Sequence, residues 1–199
     1  MSPLLSIRDL AVAFRTESAP FEALHGLSLD VMRGRTLALV GESGSGKSVT
    51  AQAILRILPP SASITRGQIL FRDGTAETDI ARLPTEGPAM RAIRGQRIAM
   101  IFQEPMTCLS PLHTIGDQIG EALRIHTGVD RREADARTQE ALARVGFPDP
   151  RRALKTYPFE LSGGLRQRAM IAMALILKPA LLVADEPTTA LDVTTQAQI

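Results

Sequence analysis

The residues Gly41-Glu42-Ser43-Gly44-Ser45-Gly46-Lys47-Ser48 follow a compact apolar run, Thr36-Leu37-Ala38-Leu39-Val40, and precede a helical pattern, Ser48–Leu58, which Pro59-Pro60 ends. The order is therefore strand, glycine-rich loop, helix. The octet fits G-x-x-x-x-G-K-[ST], and both flanks that this pattern requires are present. Glycines let the backbone curl so that successive N–H groups face inward, and the following helix aims its positive end at the same point. That is a cradle for phosphates. Lys47 is placed to reach the β- and γ-phosphates of a nucleotide as a point charge, and the Ser48 hydroxyl to serve as a Mg²⁺ ligand.

Outward from this loop, Ser6–Phe14 and Ala23–Met32 alternate apolar and polar residues and read as strands, the second closing at Arg33-Gly34. Gly67–Phe71 reads as a further strand with a turn at Asp73-Gly74, and Arg97–Phe102 as another, followed by Gln103-Glu104-Pro105. From Thr114 to Val145 the period becomes helical: Ile115, Ile119, Leu123, Ala134, Leu142 and Val145 recur at helical spacing, which predicts an α-helical insert. Pro148 and Pro150 are expected to block its continuation, a further helix is expected over Gly164–Leu177, and Ala180–Ala184 is expected to form a second buried strand.

That last strand delivers Asp185 and Glu186 together. Burial of two adjacent carboxylates is costly unless a cation or a reacting group compensates, so the pair points to chemistry. Asp185 is expected to hold Mg²⁺ directly or through water, and Glu186 to polarise an attacking water as general base.

Composition excludes several classes. The chain has 199 residues, of which 44% are hydrophobic and 22% charged, enough for one substantial core. No apolar run approaches the ~20 residues of a membrane-spanning helix, and no secretory signal is visible after Met1, which predicts a cytoplasmic location. The formal charge of +2 is too small and dispersed for a nucleic-acid partner, and one Tyr with no Trp supplies no base-stacking platform. Cys108 has no Cys or His neighbour at ligand spacing and reads as structural.

Leu161-Ser162-Gly163-Gly164-Leu165-Arg166-Gln167 resembles the signature motif of ABC transporter ATPases. The resemblance implies an α/β P-loop NTPase of the ABC ATPase type, with a mixed central sheet, N-terminal antiparallel strands and an α-helical insert. It further implies that Ser162, Gly163 and Gly164 contact the nucleotide held by an opposite cassette, so that two cassettes enclose two ATP molecules. Gln103 resembles the Q-loop glutamine that senses Mg²⁺ and the γ-phosphate and takes part in catalysis with Lys47 and Glu186. Ala190-Leu191-Asp192 resembles the D-loop. Phe14 falls where the family places an aromatic that stacks on adenine; as a residue ending an apolar strand, it also reads as core.

The strings Gly41–Thr50, Ile101–Thr107 and Ala184–Asp192 are similar to oligopeptide and dipeptide importer ATPases, including tandem-cassette forms that import peptides and microcins. The expected nucleotide-binding set is thus Phe14, Gly41, Glu42, Ser43, Gly44, Ser45, Gly46, Lys47, Ser48, Ser162, Gly163 and Gly164, and the metal set Ser48, Gln103 and Asp185. Expected partners are integral membrane permease subunits, a second ABC cassette and, indirectly, a periplasmic or extracellular substrate-binding protein. The expected place is the cytoplasmic face of the inner membrane. Residues 1–103 are expected to form the nucleotide-binding core, 104–177 the α-helical subdomain, and 178–199 the returning part of the core.

The sequence departs from the family at Ser110, where Asn is usual, and at Phe159, where His is usual. Its three histidines, His25, His113 and His126, all precede Asp185, whereas the family's switch histidine follows it. The resemblance therefore implies a domain incomplete at its C-terminus and lacking one core strand. Unpaired buried backbone groups cost ~1–3 kcal/mol each against a net stability of ~5–15 kcal/mol, so residues 1–199 alone are expected to hydrolyse ATP poorly. The weighed alternatives are a nucleotide-binding module without hydrolysis, and an ABC ATPase that works outside transport.

Overall fold

The computed structural model describes residues 2–104 and 108–187. The chain divides into two compact units, Met1–Arg94 and Gly95–Ile199.

The first unit is built on a four-stranded antiparallel sheet of order β2-β1-β3-β4. Its strands are β1 (Leu5–Phe14), β2 (Phe21–Val31), β3 (Ala62–Asp73) and β4 (Ala76–Asp79). As a central strand, β1 is covered on both faces: Leu5, Ile7, Leu10 and Val12 are buried, and so is Ser6. The Ser6 hydroxyl donates to Asp30, and Arg8 donates to the same carboxylate at 3.0 Å. The Ser6 bond first, and the Arg8 bond second, hold the Asp30 carboxyl below its ordinary pKa.

Between Ile7 and Leu10 the register of β1 slips against β2, and between Arg8 and Ala11 it slips against β3. Asp9 there has φ 47°, and Gly67 opposite it has φ 98°. A Cβ on Gly67 would come within 2.6 Å of the Arg8 and Asp9 carbonyl oxygens, so only glycine lets β3 pass the bulge.

Helix α1 (Lys47–Ile54) is shorter than the sequence pattern suggests. Arg56 adopts φ 55°, Arg56 N–H donates to Ala53 at 3.1 Å, and Ile57 N–H donates to Gln52 at 3.0 Å. This pair of bonds is a Schellman ending with Arg at the left-handed position, so the helix stops before Pro59-Pro60 can act.

The expected strand Thr36–Val40 is corrected. No described strand pairs with it, and its side chains lie open, Val40 at 89% exposure. An apolar run becomes a strand only where a neighbour takes up its backbone groups. The unit also contains two elements without a periodic signal: a 3₁₀ turn, Ile80–Arg82, capped by Asp79, and helix α2 (Pro88–Ile93).

The second unit holds a parallel pair, β5 (Ile98–Ile101) and β6 (Leu181–Ala184), in register from Ile98 against Leu181 to Ile101 against Ala184. Helices α3 (Ile115–Thr127), α4 (Arg131–Arg144), α5 (Pro150–Ala153) and α6 (Gly163–Leu175) accompany it. Ile115, Ile119, Leu123, Ala134 and Leu142 are fully buried in one cluster with Phe147, Ala169 and Ala172. The helical period thus marked the core face. Gly116 lets α3 meet the turn after α5, since a Cβ there would lie 2.5 Å from the Leu154 carbonyl oxygen.

Two further expectations are revised. Pro150 does not only block a helix; it opens α5 at its first turn, where a missing N–H costs nothing, with Asp149 accepting from Arg152 N–H. And β6 is not wholly buried: among the described residues it pairs with β5 alone, and Leu182 and Ala184 are exposed. A second apolar cluster, Ala99, Ile101, Met170, Ile171 and Ala174, packs α6 against β5.

Candidate nucleotide and catalytic site

In the first unit the loop Gly41–Ser48 is shaped by two left-handed glycines, Gly44 at φ 81° and Gly46 at φ 91°. Gly46 is pressed against β2: a Cβ would sit 2.5 Å from Leu24 Cδ2 and 3.0 Å from the Ala23 carbonyl oxygen. Gly41 closes on Ser45, whose N–H donates to the Glu42 carbonyl at 3.2 Å. Lys47 Nζ bridges the loop, donating to the carbonyls of Gly41 and Glu42 at 2.8 Å each. Thr50 N–H and Oγ1 both donate to the Gly46 carbonyl at 2.9 Å, which locks the loop to the helix.

The start of α1 has no side-chain cap and no acid in its first turn. The other three long helices begin differently: Thr114, Asp130 and Ser162 cap α3, α4 and α6. The first N–H groups of α1, with the helix dipole behind them, are therefore left for an outside acceptor. Phe14, partly buried at the end of β1, pairs across the sheet with Phe21, which is exposed.

In the second unit, the Asp185 N–H donates to the Ile101 carbonyl at 2.9 Å, extending the β5–β6 ladder. The residues just beyond the two strand ends then meet: Gln103 Nε2 donates to Glu186 Oε2 at 2.9 Å. The structure thus brings together two of the expected catalytic residues, 83 positions apart. Glu186 has φ 47°, a conformation that costs a non-glycine residue ~1–2 kcal/mol. The expectation that the acid pair is buried is corrected: Asp185 is half-buried and Glu186 exposed, and among the described residues β6 pairs with β5 alone.

Ser162 caps α6, its hydroxyl accepting from Leu165 N–H at 3.4 Å, and Gly163 has open space where a side chain would stand. The turn is exposed at Ser162 and Gly163, and the Ser162 hydroxyl takes up one of the first N–H groups of α6. Behind it, Arg166 donates to the Pro158 carbonyl at 2.7 Å and Arg168 to that of Gly146 at 2.8 Å. Gln167, buried to 1% exposure, donates to the Pro187 carbonyl at 2.5 Å.

The signature string ends at Gln167 without assigning it a role, yet its spacing to Met170, Ile171 and Ala174 places a polar residue on the apolar face of α6, which is a readable signal. Among the departures, Ser110 bonds His113 Nδ1 at 3.0 Å, and Phe159 stacks on Tyr157 at 5.5 Å. The D-loop candidates Ala190, Leu191 and Asp192 lie outside the described residues, as do Pro105, Met106 and Thr107.

No three His, Cys, Asp or Glu side chains converge among the described residues. The Ser48 hydroxyl of the first unit and the Asp185 carboxylate of the second are each oxygen donors of the kind that Mg²⁺ takes.

An α/β cassette with a phosphate-loop helix and a strand-end glutamate is the class that these features define. The family model described as ABC transporter matches residues 24–189, and the chain belongs to that family. The chain is 59% identical over 198 residues to a peptidoglycan transport ATP-binding protein of Agrobacterium fabrum, covering 99% of this chain and 35% of that one. It is 52% identical over 200 residues to a dipeptide transport ATP-binding protein of Bacillus subtilis, covering 100% of this chain and 58% of the relative. A glutathione import ATP-binding protein of Salmonella paratyphi A is 50% identical over 98% of this chain and 32% of its own. The chain therefore spans between about a third and three-fifths of these curated relatives.

Among solved structures, it resembles the ATP-binding cassette MJ0796, a dimer bound to ADP and Pi in a post-hydrolysis state, with a TM-score of 0.84 and 26% identity. That match covers 98% of this chain and 79% of the cassette.

Proposed function

We propose that this chain binds ATP with Mg²⁺ and, within an ABC transporter, hydrolyses ATP to energise import of peptides or peptide-like compounds. The observation that carries the reading is the glycine-lined loop at the uncapped start of α1, with Lys47 held across its carbonyls. A triphosphate offers the Lys47 ammonium better acceptors than the Gly41 and Glu42 carbonyls, and the free N–H groups of α1 take the remaining phosphate oxygens.

Glycine at 44 and 46 keeps that backbone within reach of the ligand, and Phe14 stacks on the adenine. Ser48, Gln103 and Asp185 would hold Mg²⁺, which when bound would neutralise phosphate charge. Glu186 accepts a proton from the attacking water, with its carboxylate oriented by the Gln103 amide. The rate comes mainly from this positioning, because phosphoryl transfer asks for little covalent chemistry from the protein.

Ser162, Gly163 and Gly164 meet the nucleotide of a second cassette, as the dimeric state of MJ0796 supports. Residues 1–103 and 178–199 serve as the nucleotide-binding core, and 104–177 as the helical subdomain that faces the permease. No helix among the described residues is long and apolar enough to cross a membrane; permease subunits are the proposed link to the cytoplasmic face. Peptide-like cargo is supported by the names of the relatives, which are peptidoglycan, dipeptide and glutathione transport proteins.

The test is titration with a fluorescent ATP analogue, beside phosphate release. Wild-type protein is expected to bind with Mg²⁺ and Lys47→Ala to lose at least about tenfold in affinity, as loss of a charge-assisted contact to phosphate implies. Equal affinity in the two proteins refutes the reading.

A further inference from the structure

Gln167 is the feature that the reading above leaves unused. It is 1% exposed, on the face of α6 that carries Met170, Ile171 and Ala174 into the core. Its Nε2 donates to the Pro187 carbonyl, while its Oε1 is buried with no hydrogen-bond partner among the described residues. Reversal of the amide would set two oxygens against each other, so the donor end must face Pro187. An apolar side chain would fill this position without an orphaned acceptor, and core stability alone therefore argues against glutamine. What the residue adds is the bond to Pro187.

That bond acts on Glu186. Proline fixes its own φ and restrains the residue before it, and Glu186 already stands at φ 47°. The general base is thus held at two points: its carboxylate by Gln103, at 2.9 Å, and the backbone just after it by Gln167. Gln167 lies on the helix that Ser162 caps, little more than one turn from Gly163 and Gly164.

We infer that Gln167 is a positioning residue for ATP hydrolysis, tying the Pro187 carbonyl, and through it Glu186, to the helix that begins at the signature turn. The inference rests on the function proposed above. It concerns how the base is held rather than what the site binds.

The experiment uses the full chain and steady-state phosphate release. Gln167→Met keeps length and volume but removes the donor; kcat is expected to fall about tenfold, the size of one lost hydrogen bond, with KM for ATP within about twofold of wild type. A residue acting only through packing would instead lower melting temperature and active fraction. The discriminating readout is a double-mutant cycle. In a Glu186→Asp background, which keeps a carboxylate and is expected to retain turnover, adding Gln167→Met is expected to change the rate less than about twofold, because the two residues act as one unit.

Wild-type kcat in Gln167→Met, or full multiplication of the two effects, overturns the inference. If Gln167→Met does not fold, Gln167→Glu serves, since it sets an oxygen against the Pro187 carbonyl and is expected to depress kcat at least as far; unchanged kcat there also overturns it. Wild-type protein that releases no phosphate overturns the parent reading and this inference with it. Active wild type beside an indifferent Gln167→Met overturns this inference alone.

Discussion

Replacement of Gly46 by alanine tests the phosphate loop through its steric seat on β2. At φ 91° an alanine carries ~1–2 kcal/mol of left-handed strain. Its Cβ would also enter space held by Leu24 Cδ2 at 2.5 Å and the Ala23 carbonyl oxygen at 3.0 Å. Leu24 is buried, so relief requires a shift in the core, an overpacking cost of ~1–3 kcal/mol.

Gly44→Ala is the matched control: its φ is 81° and nothing lies within 4 Å, so it carries the strain without the collision. The difference between the two variants is the contact energy alone, about 1–3 kcal/mol, or ~2–12 °C in melting temperature for a chain of this size. Urea and thermal unfolding measure it, and nucleotide titration reports whether the displaced loop still binds. Gly46→Ala and Gly44→Ala melting within 2 °C of each other refute the argument that Gly46 is required by contact with β2.

Three further outcomes follow from the geometry. Glu186→Gln is expected to keep ATP affinity while lowering phosphate release by ~10²–10⁴, the share of a general base; equal rates would remove Glu186 from that role. Ser162→Ala is expected to lose ~1 kcal/mol of stability with its cap bond, and Ser162→Gly only a few tenths, so denaturant midpoints should rank wild type, glycine, alanine. Ser6→Ala removes the main cause of the lowered Asp30 pKa, so that pKa should rise toward the ordinary carboxylate value in an NMR titration. Because folding lowers the Asp30 pKa, its contribution to stability is present above the unfolded value and is lost as pH falls through the folded one. The variant should therefore show less acid-dependent loss from this group.

Much of the site was legible because its residues act through local backbone geometry. The spacing of Gly41, Gly46, Lys47 and Ser48 is itself the loop, since glycine supplies the left-handed turn and the helix start supplies the N–H groups. Ile115, Ile119, Leu123, Ala134 and Leu142 were legible as core for a similar reason, one face of a helix recurring at fixed intervals.

Other features depended on partners that no local pattern contains. Thr36–Val40 reads as a strand from its residues, yet remains open where no described strand takes up its hydrogen bonds. The end of α1 at Ile54 required Arg56 to enter a conformation usually left to glycine. The meeting of Gln103 with Glu186, and of Gln167 with Pro187, joins residues distant in the chain through the pairing of β5 with β6 and the packing of α6. The amino-acid order by itself determined which groups can cradle phosphate and which can move a proton, because those properties belong to residue type and near-neighbour spacing. Only the tertiary structure decided which side chains meet Glu186 and the backbone just after it, since a hydrogen bond 20 or 83 residues long in sequence exists only after strands and helices have packed.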